Sequence, residues 1–72
     1  MKTNDDILSE FGKKIRSIRE SMGLSQEKFS LMIDMDRTYY ASVENGKRNI
    51  SLKNIIKISK GFNISLKDIF DF

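Results

Sequence analysis

The sequence predicts an all-α domain of five helices. Apolar residues recur at three- and four-residue steps, the spacing that places them on one face of a helix. Serine, aspartate and asparagine stand where the predicted helices begin, and these residues favour helix N-caps. Glycine or asparagine follows several of the apolar stretches and stops a helix by adopting a left-handed conformation. The pattern contains no strand.

The length of the chain allows one domain, assigned to residues 1–72. Residues 1–6 are the candidate flexible segment, because no other part has the composition of a tail or linker. The sequence contains no cysteine, so the core forms without disulfides. A domain this short buries only about 60% of the surface of its unfolded chain, and further burial by self-association is expected.

The net charge of +3 is unevenly distributed along the chain. Arg37, Lys47, Arg48 and Lys53 surround the single acid Glu44, whereas acids dominate the first ten residues. Local positive charge of this kind suits a nucleic-acid partner. No signal core is present, nor any apolar run near the roughly 18 residues that span a bilayer, so a cytoplasmic protein with no membrane partner is predicted.

The first predicted helix runs from about Asp5 to Met22. Asn4 is its predicted N-cap, and Gly23 is expected to stop it. The residues that share its apolar face are Ile7, Phe11, Ile15, Ile18 and Met22.

Two short helices follow and are joined tightly. Ser25 caps a predicted helix from Gln26 to Ile33, and Asp36 caps another from Arg37 to about Asn45. The turn between them is too short for a free loop, and Asp34 tolerates the left-handed conformation that such a turn needs. Two helices joined in this way form a helix-turn-helix. The residues expected to face the core are Phe29, Ile33, Tyr40 and Val43.

The last third of the chain predicts two more helices. Ser51 caps the first of them, which is expected to stop at Asn63, and Gly61 within it is expected to permit close packing. Ser65 and Asp68 form an acidic version of a capping box for the final short helix. The core-facing residues of the longer helix are Leu52, Ile55, Ile58 and Phe62.

Several segments form a set that is found together in known proteins. They are Ile15-Arg16-Ser17-Ile18-Arg19, Gly23-Leu24-Ser25-Gln26-Glu27-Lys28-Phe29-Ser30, Glu44-Asn45-Gly46-Lys47 and Ile64-Ser65-Leu66-Lys67-Asp68-Ile69-Phe70. Over roughly residues 8 to 70 the chain resembles phage-repressor and Cro-type helix-turn-helix domains. Within that class, Asp36-Arg37-Thr38-Tyr39 and the segment 46–51 resemble the controller proteins of bacterial restriction–modification systems. The resemblance implies a compact, repressor-like domain.

The resemblance also implies where DNA would bind. In this class the third helix enters the major groove, and its early outward residues read bases. The implied base-reading residues are Arg37, Thr38, Tyr39 and Ser42. The implied contacts to the DNA backbone are Gln26, Asn45, Lys47, Arg48 and Asn49. For the outward residues of the third helix, the alternative is a solvated polar face. Gln26 is alternatively an ordinary surface glutamine, and Asn49 a simple turn residue. Plain solvated charges are expected at Lys13, Lys14 and Lys57.

Two further expectations concern contacts other than DNA. Glu44 is an acid within a basic region and is expected to pair with a cation such as Arg19, which would fix helix geometry. The last seven residues carry more apolar side chains than one small core needs, which predicts a homodimer seam. Packing of this tail on its own subunit is the alternative. The predicted seam residues are Leu66, Ile69, Phe70 and Phe72.

The composition argues against catalysis. With no histidine, no cysteine and no glycine-rich phosphate loop, the chain offers no imidazole base and no thiol nucleophile, and no cofactor or metal is predicted. The predicted function is a sequence-specific, DNA-binding transcriptional regulator that recognises inverted repeats in double-stranded DNA as a homodimer, with control of a restriction–modification system as the narrower interpretation. The alternatives are a prophage or other repressor of the same fold, and a protein-interaction module that does not bind DNA. No pattern indicates a contact with RNA polymerase.

Overall fold

The computed structural model describes residues 3–72, apart from the side chain of Asn4, and forms five helices without a strand in that range. This architecture confirms the predicted all-α, five-helix domain, and the helix ends lie close to the predicted ones. The helices are α1 (Asn4–Ser21), α2 (Gln26–Met32), α3 (Arg37–Glu44), α4 (Leu52–Phe62) and α5 (Leu66–Ile69).

Each helix begins at a side chain that accepts a backbone hydrogen bond. At α1, Thr3 Oγ1 accepts the N–H of Asp6 at 3.1 Å and Asp6 Oδ2 accepts the N–H of Thr3 at 3.2 Å, a complete capping box. The prediction of Asn4 as the cap is therefore wrong by one residue. The candidate flexible segment, residues 1–6, overlaps the first turn of α1, while Met1 and Lys2 lie outside the described residues. The other caps confirm the prediction and are Ser25, Asp36, Ser51 and Ser65.

The turn between α2 and α3 depends on one left-handed residue. Asp34 has φ 53°, as the sequence predicts, although an L side chain rarely adopts this conformation. From α4, Lys57 Nζ donates a hydrogen bond of 3.1 Å to the Asp34 carbonyl oxygen. Lys57 is exposed, as expected for a solvated charge, and in addition contacts the turn.

The core is organised around the fully buried ring of Phe29. Its ring lies 4.1 Å, centroid to centroid, from the nearly parallel ring of Phe62, and 5.3 Å from the ring of Tyr40, which it meets edge-on. These contacts join α2 to α3 and α4, so they fix the angle of the helix-turn-helix against the rest of the domain. The buried apolar residues are Phe11, Ile15, Phe29, Ile33, Tyr40, Val43, Ile58, Phe62 and Ile69.

Three residues with the expected core spacing are nevertheless exposed. Ile7 and Met22 retain 43% and 44% of their accessible surface, and Leu52 retains 64%. Each lies within the first turn of its helix or just past its end, where neighbouring helices do not cover it. Helical periodicity identifies the face of a residue but not how far the opposing helix extends.

Two glycines allow helices to approach closely. A Cβ at Gly61 would overlap the side chains of Ile33 and Phe29, which confirms the close packing expected there. At Gly12, which the sequence does not single out, a Cβ would overlap the backbone carbonyl oxygens of Glu44 and Val43. Helix α1 therefore contacts the end of α3 at the level of the main chain.

We expect Gly12→Ala to lower the free energy of unfolding by about 1–3 kcal/mol or more, because a carbonyl group cannot rotate away from the added methyl. Alanine is the better helix former by about 1 kcal/mol, so a loss of stability would identify the interhelical overlap as dominant. Urea denaturation followed by circular dichroism measures this change in the free energy of unfolding. Ser17→Ala, on the exposed side of α1, is the control and should stay within about 0.5 kcal/mol of the wild type. A Gly12→Ala protein as stable as this control would contradict the packing argument.

Candidate nucleic-acid interface

The first turn of α3 presents two polar side chains to solvent. Arg37 and Thr38 are both exposed, and they follow Asp36, whose carboxylate accepts the N–H of Tyr39 at 2.9 Å. The cap fixes where the helix starts and therefore the direction in which these side chains project. Ser42 lies further along, is half-buried and donates its hydroxyl proton to the Tyr39 carbonyl oxygen at 2.6 Å. An incoming group would have to use the lone pairs of the Ser42 hydroxyl.

Tyr39 links α3 to the segment that follows it. Its half-buried ring lies under the guanidinium of Arg48, whose Cζ is 5.5 Å from the ring centroid. From α4, Asn54 Nδ2 donates a hydrogen bond of 3.2 Å to Tyr39 Oη. The phenolic oxygen therefore accepts within the protein, which leaves its proton available to an external acceptor. Asn54 is not among the predicted site residues.

A polar loop continues from the end of α3. Lys47, Arg48 and Asn49 are exposed in it, and Gly46 enters it with φ 71°. A Cβ at Gly46 would lie 2.8 Å from the Cα of Ser9, so the loop starts in direct contact with α1. The contact between Arg48 and the Tyr39 ring joins the loop to the first turn of α3, and we call the exposed cations of these two segments the basic surface. Its cations are Arg37, Lys47 and Arg48.

The carboxylate of Glu44, in the last turn of α3, is fully buried. Arg19 binds it with two hydrogen bonds, from Nε to Oε2 at 2.7 Å and from Nη2 to Oε1 at 3.0 Å. The pairing expected from the sequence is confirmed. Arg19 Nη1 also donates to the carbonyl oxygen of Leu24 at 2.7 Å, so the same guanidinium fixes the segment that leads into α2.

Two more side chains complete this network. Gln26 Nε2 donates to Glu44 Oε1 at 2.9 Å, and Arg16 Nε donates to the same oxygen at 3.3 Å. Arg16 also donates from Nη2 to Asn45 Oδ1 at 2.9 Å. Gln26 and Asn45, both predicted to contact the DNA backbone, are thus held by one network, whereas Arg16 is not a predicted site residue. Its position three residues before Arg19, on one helix face, is the available signal.

The network shifts the titration of its members. Burial raises the pKa of Glu44, but the hydrogen bonds from its neighbours, with Arg19 first, lower it by more than burial raises it. The pKa of Glu44 therefore lies below its usual value. Hydrogen bonding to Glu44 raises the pKa of Arg19. Burial also raises the pKa of Tyr40, and the nearby Glu44 carboxylate adds to this rise. Tyr40 Oη is nevertheless a buried atom with no hydrogen-bond partner among the described residues.

The predicted dimer seam divides into exposed and buried residues. Leu66, Phe70 and Phe72 retain 38%, 44% and 45% of their accessible surface and form what we call the C-terminal apolar patch. The ring of Phe70 lies 5.5 Å from that of Phe11, which joins the patch to the core. Ile69, in contrast, is fully buried. Its assignment to the seam is wrong, since its side chain fills the core of its own subunit.

Neither a metal centre nor a membrane span is found in the described range. Residues 3–72 contain no group of three or more His, Cys, Asp or Glu side chains placed to hold a metal ion. Within the same range, none of the helices has the length and apolarity required to cross a membrane.

Comparison with known proteins places this arrangement in a family. Residues 15–69 match the family described as helix-turn-helix. The control protein C.MunI of Mycoplasma sp is 54% identical over 67 residues, which cover 92% of this chain and 90% of the relative. The crystal structure of the restriction-modification controller protein C.AhdI from Aeromonas hydrophila matches with a TM-score of 0.83 and 39% identity, over 86% of this chain and 94% of that one.

A third relative was solved with DNA. The restriction-modification controller protein C.Esp1396I, a tetramer in complex with its natural 35 base-pair operator, matches with a TM-score of 0.82 and 32% identity, over 90% of this chain and 86% of that one. Two short helices, α2 and α3, joined by a tight turn define a helix-turn-helix protein. The chain belongs to the helix-turn-helix family and, within it, to the control proteins of restriction–modification systems. The predicted absence of enzymatic activity agrees with these relatives, each a control or controller protein.

We expect Glu44→Gln to lower the free energy of unfolding by about 3–5 kcal/mol at neutral pH, because Arg19 would remain buried without its counter-charge. A pKa that is lowered in the folded protein means that ionised Glu44 stabilises the fold above the pKa of the unfolded chain. That contribution is lost as the pH falls through the folded pKa. Urea denaturation at a series of pH values should therefore show the gap between wild type and variant narrowing in acid.

Glu27→Gln is the matched control, since it makes the same change at an exposed position of α2. Its stability should stay within about 0.5 kcal/mol of the wild type. A constant gap between the wild type and Glu44→Gln down to strongly acidic pH would refute the assigned role of the carboxylate.

Proposed function

We propose that this chain is a sequence-specific, DNA-binding transcriptional controller of a restriction–modification system, acting in the cytoplasm and recognising inverted repeats as a homodimer. The observation that carries this proposal is the exposed first turn of α3, with Arg37 and Thr38, joined to the loop with Lys47 and Arg48 by the contact of Arg48 with the Tyr39 ring. Base-reading donors and phosphate-binding cations thus lie on neighbouring parts of one surface. The presence of operator DNA in the C.Esp1396I complex supports the proposal.

Base reading belongs to the start of α3 in this proposal. A guanidinium such as that of Arg37 forms two parallel hydrogen bonds with the O6 and N7 atoms of guanine. The hydroxyl of Thr38 can bond to a base edge, and its methyl group can contact the thymine methyl. Tyr39 and Ser42 lie deeper and use part of their hydrogen-bonding capacity within the protein, so we assign them supporting contacts.

In this proposal, most contacts to the DNA backbone come from the loop after α3. Lys47 and Arg48 are exposed, and Arg48 is held over the ring of Tyr39, which reduces the entropy lost when it binds a phosphate. Asn49 is exposed beside them. Gln26 and Asn45 contribute amide protons from the ends of α2 and α3. These contacts fix the position of the protein on DNA without reading its sequence.

We assign the contact with a second copy of the chain to the C-terminal apolar patch. A single copy of α3 would read only a few base pairs, whereas two copies related by a twofold axis would read two inverted half-sites. The patch exposes parts of three large apolar side chains within one short segment, and burial against an identical patch would remove them from water. In such a dimer the two copies of α3 would lie about 34 Å apart, one turn of DNA.

Substitutions in the two parts of the basic surface should have different effects on DNA binding. We expect Arg37→Ala to weaken binding to the selected operator by roughly five- to 150-fold and to relax the preference at one position in each half-site. Lys47→Ala should weaken specific and random-sequence binding alike, and should reduce the slope of log K against log[salt] by about 0.9 for each phosphate that is no longer neutralised. Quantitative gel shifts with both kinds of duplex measure these effects. Equal losses on both duplexes for Arg37→Ala, or an unchanged slope for Lys47→Ala, would contradict the assignments.

We expect Leu66→Asp to convert the dimer into a monomer, because a charge buried in an apolar seam is costly. Sedimentation should show half the mass, circular dichroism should show the helices retained, and a full operator should bind little better than a half-site. The control is Leu31→Asp, the same substitution at a residue of α2 that is 80% exposed. Ile69→Asp cannot serve this purpose, since it would place a charge in the core. A folded Leu66→Asp protein that remains dimeric would show that the dimer interface lies elsewhere on the protein.

A further inference from the structure

Arg16 lies where the buried network reaches solvent, at the end of α3. Its side chain is 43% exposed, whereas the carboxylate of Glu44 that it contacts is fully buried. Through Nε it donates to Glu44 Oε1 at 3.3 Å, and through Nη2 it donates to Asn45 Oδ1 at 2.9 Å. A single planar guanidinium therefore joins an interior acid to an exposed amide at the end of α3.

The hydrogen bond to Asn45 determines which end of that amide is available. A carboxamide carries an acceptor oxygen and a donor amino group on opposite sides. Because Oδ1 of Asn45 accepts from Arg16, the amino group is directed elsewhere and remains a donor. Phosphate oxygens are acceptors, so the amino group is the only part of this side chain that can bind them. The contact thus selects the orientation that suits a DNA backbone.

The same network fixes the separation of the two amide side chains that are predicted to bind phosphates. Gln26 and Arg16 both donate to Oε1 of Glu44, at 2.9 Å and 3.3 Å. Asn45 is bound to the second arm of Arg16, so the amides at the start of α2 and the end of α3 are held relative to one buried oxygen. With Arg19 included, two cations surround one carboxylate, and the network retains a positive charge.

We propose that Arg16 is a positioning residue for DNA binding: it holds the amide of Asn45 in the orientation that donates to a phosphate. This inference rests on the proposed DNA-binding function. The competing role is a direct contact between Arg16 and a phosphate, for which charge alone would suffice. Arg16→Lys separates the two, since lysine keeps the charge but lacks the planar fork that binds two acceptors together.

The test uses a duplex that the wild-type protein selects from random-sequence DNA. We expect Arg16→Lys and Asn45→Ala each to weaken binding by about two- to tenfold, the effect of one hydrogen bond. The double variant should bind no more weakly than either single variant, because both remove the same contact. The salt slope should stay that of the wild type in all three, since each keeps every cation that faces DNA. Lys13→Ala, which removes a charge from an exposed position of α1, serves as the control for a general electrostatic effect.

Each outcome has a defined meaning. Wild-type affinity for Arg16→Lys would overturn the inference in favour of a direct phosphate contact, and additive losses in the double variant would overturn it by showing that the two residues act separately. Urea denaturation of the variants tests a purely structural role of Arg16. A loss of stability in Arg16→Lys, with no coupling between Arg16 and Asn45 in DNA binding, would also overturn the inference. Failure of the wild-type protein to select any duplex would instead refute the proposed function itself.

Discussion

The buried carboxylate of Glu44 is the constraint on which the arrangement of the first three helices depends. A charge removed from water must be compensated, and here two hydrogen bonds from Arg19 neutralise it. The partners come from α1 and from the start of α2, while Glu44 itself belongs to α3. The main chain takes part as well, since a Cβ at Gly12 would overlap the carbonyl oxygen of Glu44. One residue thus fixes three helices, through its side chain and through its backbone.

This constraint has a direct effect on the basic surface. The orientation of α3 decides where Arg37 and Thr38 project, and that orientation is set at its far end by Glu44 and along its length by the packing of Tyr40 on Phe29. Burial of a charge at this position is weak evidence for stability, since an apolar core of the same shape could be as stable. The hydrogen bonds give the helices one defined geometry, which a surface that reads bases requires.

The sequence predicts most of what depends on local chemistry. Caps such as Ser25 and Asp36 act within a few residues, so the helices can be located from the chain alone. Contacts between distant segments are harder to predict, because they depend on side-chain geometry. The bonds from Arg16 to Asn45 and from Asn54 to Tyr39 are of this kind. Counting apolar residues near the C-terminus likewise could not show that Ile69 faces inward while its neighbours are exposed.

The two tyrosines, adjacent in the chain, occupy different environments. Tyr40 is fully buried, and burial raises the pKa of its phenol, whereas Tyr39 is half-buried at the basic surface. The sequence contains no tryptophan and no other tyrosine. Ultraviolet absorbance and emission near the tyrosine bands therefore arise from one ring that senses the interior and one that senses the surface. The native protein carries its own pair of optical reporters, one for unfolding and one for events at the surface.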